Sequence, residues 1–249
     1  MLRAVLFDLG DTLFWRSAGD PKTALADGIG RAHDDLRERH HQLPPKDRYV
    51  RQVLRRMTLA HIWSRWTLRE IQVVGLIQRF HRRLGISLTD VAARQYARRC
   101  HQELRRMYKP APGAQQTLRQ LADSGYRLAL VSNTFMLPEV LDENLAEAGL
   151  LDFFDTRVYS CDVGLMKPHP RIFETALRRI GTPAEEALFV GDRMDADIRG
   201  AGRVGMTTVL LAPDGHVPKG RHRPDYMIRS LTEIPDLLPG RQPEAQTAH

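Results

Sequence analysis

The stretch that decides the fold is Leu2-Arg-Ala-Val-Leu-Phe-Asp-Leu-Gly-Asp-Thr-Leu13. Its first half is mostly apolar and contains a β-branched and an aromatic residue, which predicts a buried strand over residues 2–9. Asp8 ends the apolar run, and Gly10-Asp-Thr12 after it predicts a tight, strongly hydrogen-bonded loop. In open α/β sheets, ligands bind beyond the carboxyl ends of the strands, so we expect Asp8 to point into such a crevice.

Three further polar segments follow along the chain. Ser132-Asn133 ends the apolar residues 126–131, Lys167-Pro168 lies in a Gly- and Pro-rich stretch, and Asp192 follows the apolar residues 187–190. Counting Asp8, three of the four segments follow an apolar run of strand length. A parallel sheet would therefore bring them to one edge.

The residue types in these segments suit phosphoryl or acyl transfer. Asp8 can attack phosphorus as a nucleophile while its second oxygen binds a cation. Ser132 and Asn133 can donate hydrogen bonds to a transferred phosphoryl group, and Lys167 can neutralise charge on that group and on Asp8. Each has an ordinary alternative when taken alone, namely a helix N-cap, a turn or a solvated lysine.

Three acids occur within six residues in Gly191-Asp-Arg-Met-Asp-Ala-Asp197. Asp192 is the best candidate for a second metal ligand, because hard divalent cations take oxygen ligands from a few carboxylates. We expect Asp197 to orient the loop, Lys167 or a metal-bound water. Asp195 is expected to cap the following helix.

The pattern between the first two polar segments is different. From about residue 21 to residue 107, apolar residues recur at spacings of three and four among arginines, which predicts a small helical bundle inserted after the first strand. Thr67-Leu-Arg-Glu70 matches a capping box at a helix start. After residue 110, helices and strands alternate, with helices predicted at 195–203 and 234–238, and this alternation indicates a parallel sheet with right-handed crossovers.

The charge of the chain is unevenly distributed. The 249 residues carry a net charge of +7, whereas residues 15–109 contain 21 Lys+Arg and 9 Asp+Glu, or +12, which leaves −5 elsewhere. Of the 37 basic residues, 32 are arginine, which favours solvated Arg-rich helix faces over a binding surface. Zinc-finger spacings and aromatic RNA-binding strand patterns are lacking, so we expect no nucleic-acid partner.

The apolar runs and the cysteines bear on location. No apolar run approaches the ~20 residues of a membrane span, and the apolar strand begins too close to Met1 to leave room for a signal peptide. Two cysteines give no disulfide framework and fit a reducing compartment. We therefore expect a cytoplasmic protein without a membrane partner. The sequence does not indicate an oligomeric state.

Taken together and in this order, the four segments resemble the motifs of the haloacid dehalogenase superfamily, over nearly the whole chain. The matching stretches are Phe7-Asp-Leu-Gly-Asp-Thr-Leu13, Val131-Ser-Asn133, Gly164-Leu-Met-Lys-Pro-His-Pro170 and Val190-Gly-Asp-Arg-Met-Asp-Ala-Asp197. Within the superfamily, the chain is most similar to the branch with a helical cap inserted after the first motif. That branch includes phosphatases acting on small phosphomonoesters.

The resemblance implies an α/β fold: a Rossmann-like core with a parallel sheet and an inserted α-helical cap. We assign residues 1–14 and 110–240 to the core, 15–109 to the cap and 241–249 to a disordered tail. The resemblance also implies Mg²⁺ as cofactor, an aspartyl-phosphate at Asp8 and a small phosphorylated metabolite as substrate. It implies metal ligands at Asp8, the carbonyl of Gly10 and Asp192. Substrate contacts are expected at Thr12, Ser132, Asn133 and Lys167.

One position departs from the resemblance. Family phosphatases carry a second aspartate two residues after the nucleophile, which protonates the leaving oxygen, and here that position is Gly10. General acid–base catalysis is worth ~10²–10⁴-fold, so its loss predicts slow turnover. Asp11 is adjacent and is a supporting candidate for the missing acid. Two alternatives to a weak phosphatase remain open: a phosphate-binding protein that turns over negligibly, and a 2-haloacid dehalogenase, against which the acidic fourth motif argues.

The residues that select the substrate are expected in the cap. Five cap residues are candidates for lining the pocket, although their helical spacing equally predicts a packed interface: His61, Trp63, Arg65, Trp66 and Arg69.

Overall fold

The computed structural model describes residues 1–17, 19–38, 43–216 and 222–238. The first half of the chain forms β1 (Ala4–Phe7), β2 (Phe14–Arg16), α1 (Pro21–Arg37), α2 (Lys46–Thr67), α3 (Val73–Arg82), α4 (Asp90–Arg106) and β3 (Tyr108–Pro110). The second half forms α5 (Ala114–Asp123), β4 (Arg127–Ser132), α6 (Pro138–Glu147), β5 (Thr156–Tyr159), α7 (Ser160–Val163), α8 (Pro170–Ile180), β6 (Ala187–Gly191), α9 (Arg199–Arg203), β7 (Thr207–Leu211) and β8 (Tyr226–Ile228). The predicted tail, 241–249, lies outside the described residues.

Six strands form one parallel sheet in the order β5-β4-β1-β6-β7-β8. The first strand is therefore central, with β4 and β6 on either side, and Phe7 pairs with both Leu130 and Val190. The residues that follow these three strands consequently emerge at the same edge of the sheet. The predicted α/β fold with a Rossmann-like parallel sheet is confirmed.

Both faces of the sheet are covered, as the continuous apolar strands require. Phe7 and alternate residues of the neighbouring strands pack against α5 and α6 through Leu118 and Leu141. Leu6, which points to the other face, packs with Phe173 of α8. Since successive side chains in a strand alternate between faces, β1 needs apolar residues at every position, which is what its sequence supplies.

The predicted helical insertion is present as α1–α4, which we call the cap. Tyr49 and Phe80 are buried at its centre, and the Tyr49 hydroxyl donates to that of Tyr96 at 2.9 Å. Gly28 allows α1 to approach α4 closely, because a Cβ there would lie 2.1 Å from the Cys100 carbonyl oxygen. No helix in the described parts of the chain is long and apolar enough to cross a membrane.

The cap joins the core through a two-stranded antiparallel ribbon, in which β2 pairs with β3. Core residues Leu137 and Val140 complete the apolar cluster of the cap. Exposed ion pairs link α4 to α6, for example Arg94 with Glu139 at 3.0 Å. Exposed pairs of this kind stabilise by only about 0–1 kcal/mol each, so the apolar contact is the stronger link.

Several local predictions were wrong. The predicted helix at 195–203 begins as a π-helical turn, Met194–Ile198, before α9. The predicted helix at 234–238 is a pair of 3₁₀ turns, Leu231–Glu233 and Pro235–Leu237. The capping box at 67–70 starts no helix, because α2 runs through Thr67 and ends there.

Candidate active site

The loop after β1 places Asp8 at the edge of the sheet. The Asp8 amide donates to the carbonyl of Val190 at 2.9 Å, and the side chain is largely buried. The loop then closes tightly, since the Phe14 amide donates to the Leu9 carbonyl and the Asp11 amide to the Phe14 carbonyl. Asp11 has a positive φ of 54°, a conformation that aspartate tolerates better than most residues. Asp8 is therefore held rigidly by backbone contacts.

The Lys167 side chain is buried and contacts the carboxylate of Asp8. Its Nζ lies 2.5 Å from Asp8 Oδ1 and 2.7 Å from Asp197 Oδ1, and donates to the Val131 carbonyl at 2.9 Å. Burial alone would lower the pKa of the Lys167 ammonium, but the two carboxylates more than offset it and the pKa is raised. Lys167 is thus a fixed cation beside the proposed nucleophile.

Asn133 fixes the backbone of Lys167. Its Nδ2 donates to the Lys167 carbonyl at 2.9 Å, and its Oδ1 accepts from the Lys167 amide at 2.7 Å. Both polar groups of the Asn133 side chain are occupied by these bonds. The Nδ2 group carries a second N–H, and both Asn133 and Ser132 line the cavity, so contacts from these two side chains to a phosphoryl group stay a prediction.

Three carboxylates converge beside this lysine. One oxygen from each of Asp8, Asp192 and Asp197 lies within 4.8 Å of the others. Asp192 Oδ1 is buried and has no hydrogen-bond partner among the described residues. Burial, followed by the charges of Asp8, Asp197 and Asp11, raises the pKa of Asp192 to about 7.

Asp197 contacts both Lys167 and the backbone of its own loop, and its predicted orienting role stays a prediction. Besides pairing with Lys167, its Oδ2 accepts from the Arg193 amide at 3.0 Å. Burial raises the pKa of Asp197, although Lys167 opposes the shift. Gly191 makes room for this side chain, because a Cβ there would lie 2.5 Å from Asp197. Asp195, predicted as a helix cap, instead lies within the π-helical turn and pairs with Arg193 at 2.9 Å.

The donor set fits a hard divalent cation. Clustered buried carboxylates repel one another unless a cation or protons offset their charge, and Lys167 supplies only one positive charge. Carboxylate oxygens are the ligands that Mg²⁺ prefers. Asp8 and Asp192 would hold the ion from two sides, and the carbonyl of Gly10, which also lines the cavity, stays a predicted ligand.

A cavity of about 230 Å³ opens over these residues. The cavity is lined by the carboxylates and Lys167 and by a second group of side chains from the loop after β1, the ribbon and the α6 region. The members of this second group include Phe14, Tyr108, Thr134, Met136, Leu141 and Asn144. Sequence reasoning missed this second group. The position of Phe14 and Tyr108 at the two ends of the insertion was the signal that could have revealed them.

Two sets of predicted site residues lie elsewhere. Thr12 is fully buried and does not line the cavity, so a direct substrate contact is not available to it. The predicted cap contacts are also absent from the cavity wall: Trp63 and Trp66 are 54% and 87% exposed, and His61, Arg65 and Arg69 are exposed. In this conformation the helical cap does not reach the cavity through these residues.

Comparison with known proteins gives matches along the chain. Glyceraldehyde 3-phosphate phosphatase of Methanopyrus kandleri is 39% identical over 129 residues, which are 52% of this chain and 52% of that protein. The chain thus spans about half the length of the curated relatives it matches.

Several solved structures match almost end to end, among them a phosphatase and a dehalogenase. A HAD phosphatase from Thermococcus onnurineus has a TM-score of 0.63 and 26% identity, over 96% of this chain and 99% of the other. A 2-haloacid dehalogenase from Pseudomonas syringae has a TM-score of 0.67 and 27% identity, over 95% and 98%. Structural similarity alone therefore does not separate the two chemistries.

The family model described as haloacid dehalogenase-like hydrolase matches residues 2–205, more than half of the chain. This range contains all four motifs and all the carboxylates gathered at the sheet edge. The predicted resemblance is confirmed: the chain belongs to the haloacid dehalogenase-like hydrolases.

Proposed function

We propose that the protein is a Mg²⁺-dependent phosphatase of small phosphomonoesters. The observation that carries the proposal is the convergence of Asp8, Asp192 and Asp197 around one lysine, with a buried oxygen of Asp192 that no described residue hydrogen-bonds. A dehalogenase that displaces halide with Asp8 needs no metal and so has little use for Asp192 as a metal ligand. A cation bound among them would offset their charge and polarise the phosphoryl oxygens.

In the proposed reaction, an Asp8 carboxylate oxygen attacks phosphorus and the bond from phosphorus to the ester oxygen breaks. This forms an acyl phosphate on Asp8 and releases the alcohol. Water then attacks the same phosphorus, inorganic phosphate leaves and the Asp8 carboxylate is restored. Lys167 lies where it would balance the charge of the transferred group, and Ser132 lies where it would donate a hydrogen bond to that group.

The leaving oxygen needs a proton, and the proposed reaction has no strong donor for it. Gly10 cannot supply it, and this observation favours a second candidate, a protein that binds phosphate without appreciable turnover. Asp11 lines the cavity and is exposed, so its side chain is a candidate source of this proton within the loop. We propose that Asp11 takes this part incompletely, which gives a slow enzyme.

A panel of phosphomonoesters assayed with and without Mg²⁺ tests the proposal. We expect phosphate release that requires the metal, with the Asp8→Asn protein as the blank. Halide release from 2-chloropropionate without phosphate release would instead identify a dehalogenase. If neither product forms but inorganic phosphate raises the melting temperature, the protein is a phosphate-binding protein.

Asp192→Asn tests the metal site. The variant keeps the size of the side chain but removes a ligand charge, so we expect the Mg²⁺ affinity to fall by at least about tenfold. Without Mg²⁺, the same variant should have a higher melting temperature, because one of three mutually repelling buried carboxylates is gone. Calorimetric Mg²⁺ titration and thermal melts measure the two effects.

The matched control is Asp195→Asn, three residues further along the same segment, where the carboxylate is exposed and paired with Arg193. It should change neither the Mg²⁺ affinity nor the melting temperature by much. An unchanged Mg²⁺ titration in Asp192→Asn would remove Asp192 from the ligand set.

The charges of the cavity predict which leaving groups it accepts. Four acids and two bases line it: Asp8, Asp11, Asp192, Asp197, Lys167 and Arg193. Among the described lining residues, both bases are already ion-paired with carboxylates. Lys167 and a bound Mg²⁺ would together offset the charges of Asp8, Asp192 and Asp197, and Arg193 pairs with Asp195. The carboxylate of Asp11 is then the charge left over at the cavity. A carboxylate on the leaving group at roughly 6 Å from Asp11 would cost on the order of 3 kcal/mol at an effective dielectric of ~20.

We therefore expect glycerol 1-phosphate to be preferred over 3-phosphoglycerate by about tenfold or more in kcat/KM. The two substrates differ only by a hydroxymethyl group in place of a carboxylate. Asp11→Asn should narrow the difference, because it removes one exposed charge at the cavity. A preference for 3-phosphoglycerate would contradict this reading of the cavity.

A further inference from the structure

A short segment of the cap is hydrogen-bonded to the core just before Lys167. After α2 ends, Leu68 adopts a left-handed conformation and turns the chain back. The Glu70 amide then donates to the Gly164 carbonyl at 3.1 Å, and the Met166 amide donates to the Leu68 carbonyl at 2.8 Å. Residues 68–70 and 164–166 thus form a small antiparallel ladder, which we call the latch.

The Glu70 side chain extends the latch into the core. It is only 6% exposed, and its Oε2 accepts from the Ser160 hydroxyl at 2.5 Å, while its Oε1 accepts from the Ile71 amide at 2.8 Å. The Ser160 oxygen in turn accepts from the Thr134 amide at 2.7 Å. Thr134 lines the cavity, so an unbroken chain of hydrogen bonds joins a cap carboxylate to the cavity wall.

The charge of Glu70 makes this arrangement unusual. In the described parts of the chain, no Lys, Arg or His forms an ion pair with Glu70. A carboxylate buried without a cation is costly unless hydrogen bonds satisfy it. Ser160 supplies such a bond only while the cap is docked, so the favourable environment of Glu70 depends on docking.

The latch also acts on the segment that carries Lys167. The core side of Lys167 is fixed by Asn133, which binds its backbone amide and carbonyl. The preceding residue, Met166, is fixed from the cap side by Leu68 and by Ser64, whose hydroxyl contacts the Met166 sulfur at 2.9 Å. Undocking of the cap would therefore release one of the two restraints on the lysine.

We propose that Glu70 is a positioning residue: through Ser160 and the latch, its docking orders residues 164–167 and Thr134, and so holds the Lys167 ammonium against Asp8. The contacts stand independently of the proposed phosphatase activity. The expected effect on rate rests on that activity, because a misplaced Lys167 would stabilise the transferred group less well.

Glu70→Gln tests the proposal against Glu139→Gln. Both replace a glutamate at the cap–core boundary by its neutral amide, but the Glu139 side chain is 41% exposed and, among the described residues, forms its ion pair with Arg94. Hydrogen exchange at the Met166 amide is the direct readout. We expect it to accelerate about tenfold in Glu70→Gln, the size expected when a charge-assisted bond is replaced by a neutral one, and to be unchanged in Glu139→Gln.

In kinetics with a phosphomonoester, Glu70→Gln should lower kcat by about tenfold with little change in KM, while Glu139→Gln leaves both unchanged. Ser160→Ala removes the same bond from the core side and should accelerate Met166 exchange likewise. The double variant should add little to Ser160→Ala, because the bond between Glu70 and Ser160 is already absent there.

Hydrogen exchange at the Met166 amide tests the role of Glu70 even if the protein hydrolyses no phosphomonoester. In that case the proposed phosphatase function fails, but the role of Glu70 is still decided by the exchange rates. Equal exchange rates in the Glu70→Gln and Glu139→Gln proteins would overturn it. If Glu70→Gln does not fold, Ser160→Ala gives the same decision, with unchanged Met166 exchange as the contrary result.

Discussion

Asp8→Asn is expected to lower phosphomonoester turnover by about 10⁴-fold or more, the size of loss seen when a catalytic nucleophile is removed. A neutral amide does not attack phosphorus and cannot form the acyl phosphate. The fold should persist, because the two side chains have the same shape and the Asp8 amide keeps its bond to the Val190 carbonyl. Lys167 also keeps Asp197 and the Val131 carbonyl as partners.

Phosphate release measures the loss, and circular dichroism checks the fold. Asp195→Asn is the matched control, since it makes the same chemical change at an exposed carboxylate that pairs with Arg193. Acid quenching of the wild-type protein during turnover should also trap a phosphate mass on the peptide that contains Asp8. Turnover retained in Asp8→Asn, with no trapped phosphate, would place the nucleophile elsewhere.

The layout of the site was predictable because it follows from strand order. Asp8, Ser132 and Asp192 each follow an apolar segment, and these segments are β1, β4 and β6, which lie side by side at the centre of the sheet. Parallel strands end at a common edge, so residues far apart in sequence had to converge there. Lys167 follows no strand, and only its place in the motif order linked it to the others.

The roles of individual side chains were less predictable. A serine–asparagine pair after a strand offers a hydroxyl and one side-chain amide, and nothing in the sequence shows that Asn133 uses both the N–H and the C=O of that amide on Lys167. Thr12 likewise follows the nucleophile closely, yet the tight loop turns it into the interior. Which way a loop side chain points depends on backbone angles, such as the positive φ of Asp11, that residue types alone do not specify.

The cap illustrates the same limit. Helical periodicity shows which side of a helix is apolar but not what that side faces, so Trp63 and Trp66 were candidates for a pocket from which both are absent. Glu70 had a satisfactory local explanation as part of a capping box. Its contact with Ser160, ninety positions away, depends on how the cap docks, which no local pattern encodes.

The second large effect concerns the missing acid. The backbone at Gly10 is ready to receive a side chain: a Cβ added there meets no atom within 4 Å, and its φ is outside the left-handed range that would strain an L-residue. Gly10 also lines the cavity beside Asp8, so a carboxyl group at this position would reach the reacting groups. The absence of a side chain is therefore not imposed by packing.

Gly10→Asp is accordingly expected to raise the turnover of alkyl phosphates by about 10²-fold, the lower end of the range for general acid–base catalysis. Alkyl phosphates release a basic alkoxide that needs a proton, whereas aryl phosphates release a phenolate that needs one much less. The gain should therefore be large for glycerol 1-phosphate and small for 4-nitrophenyl phosphate, as measured by kcat/KM for each. This contrast separates proton donation from a general improvement in binding or folding.

Gly10→Asn is the control, because it fills the same space with a group that donates no catalytic proton. An equal gain in both variants would mean that rigidity of the loop, and not the acid, was limiting. No gain in either would show that the route from residue 10 to the leaving oxygen is blocked. Asp11→Asn in the wild-type background tests whether Asp11 is the partial substitute. If it is, its removal should slow the hydrolysis of alkyl phosphates further. The same change in the Gly10→Asp protein should have little effect on that rate, because the proton then comes from residue 10.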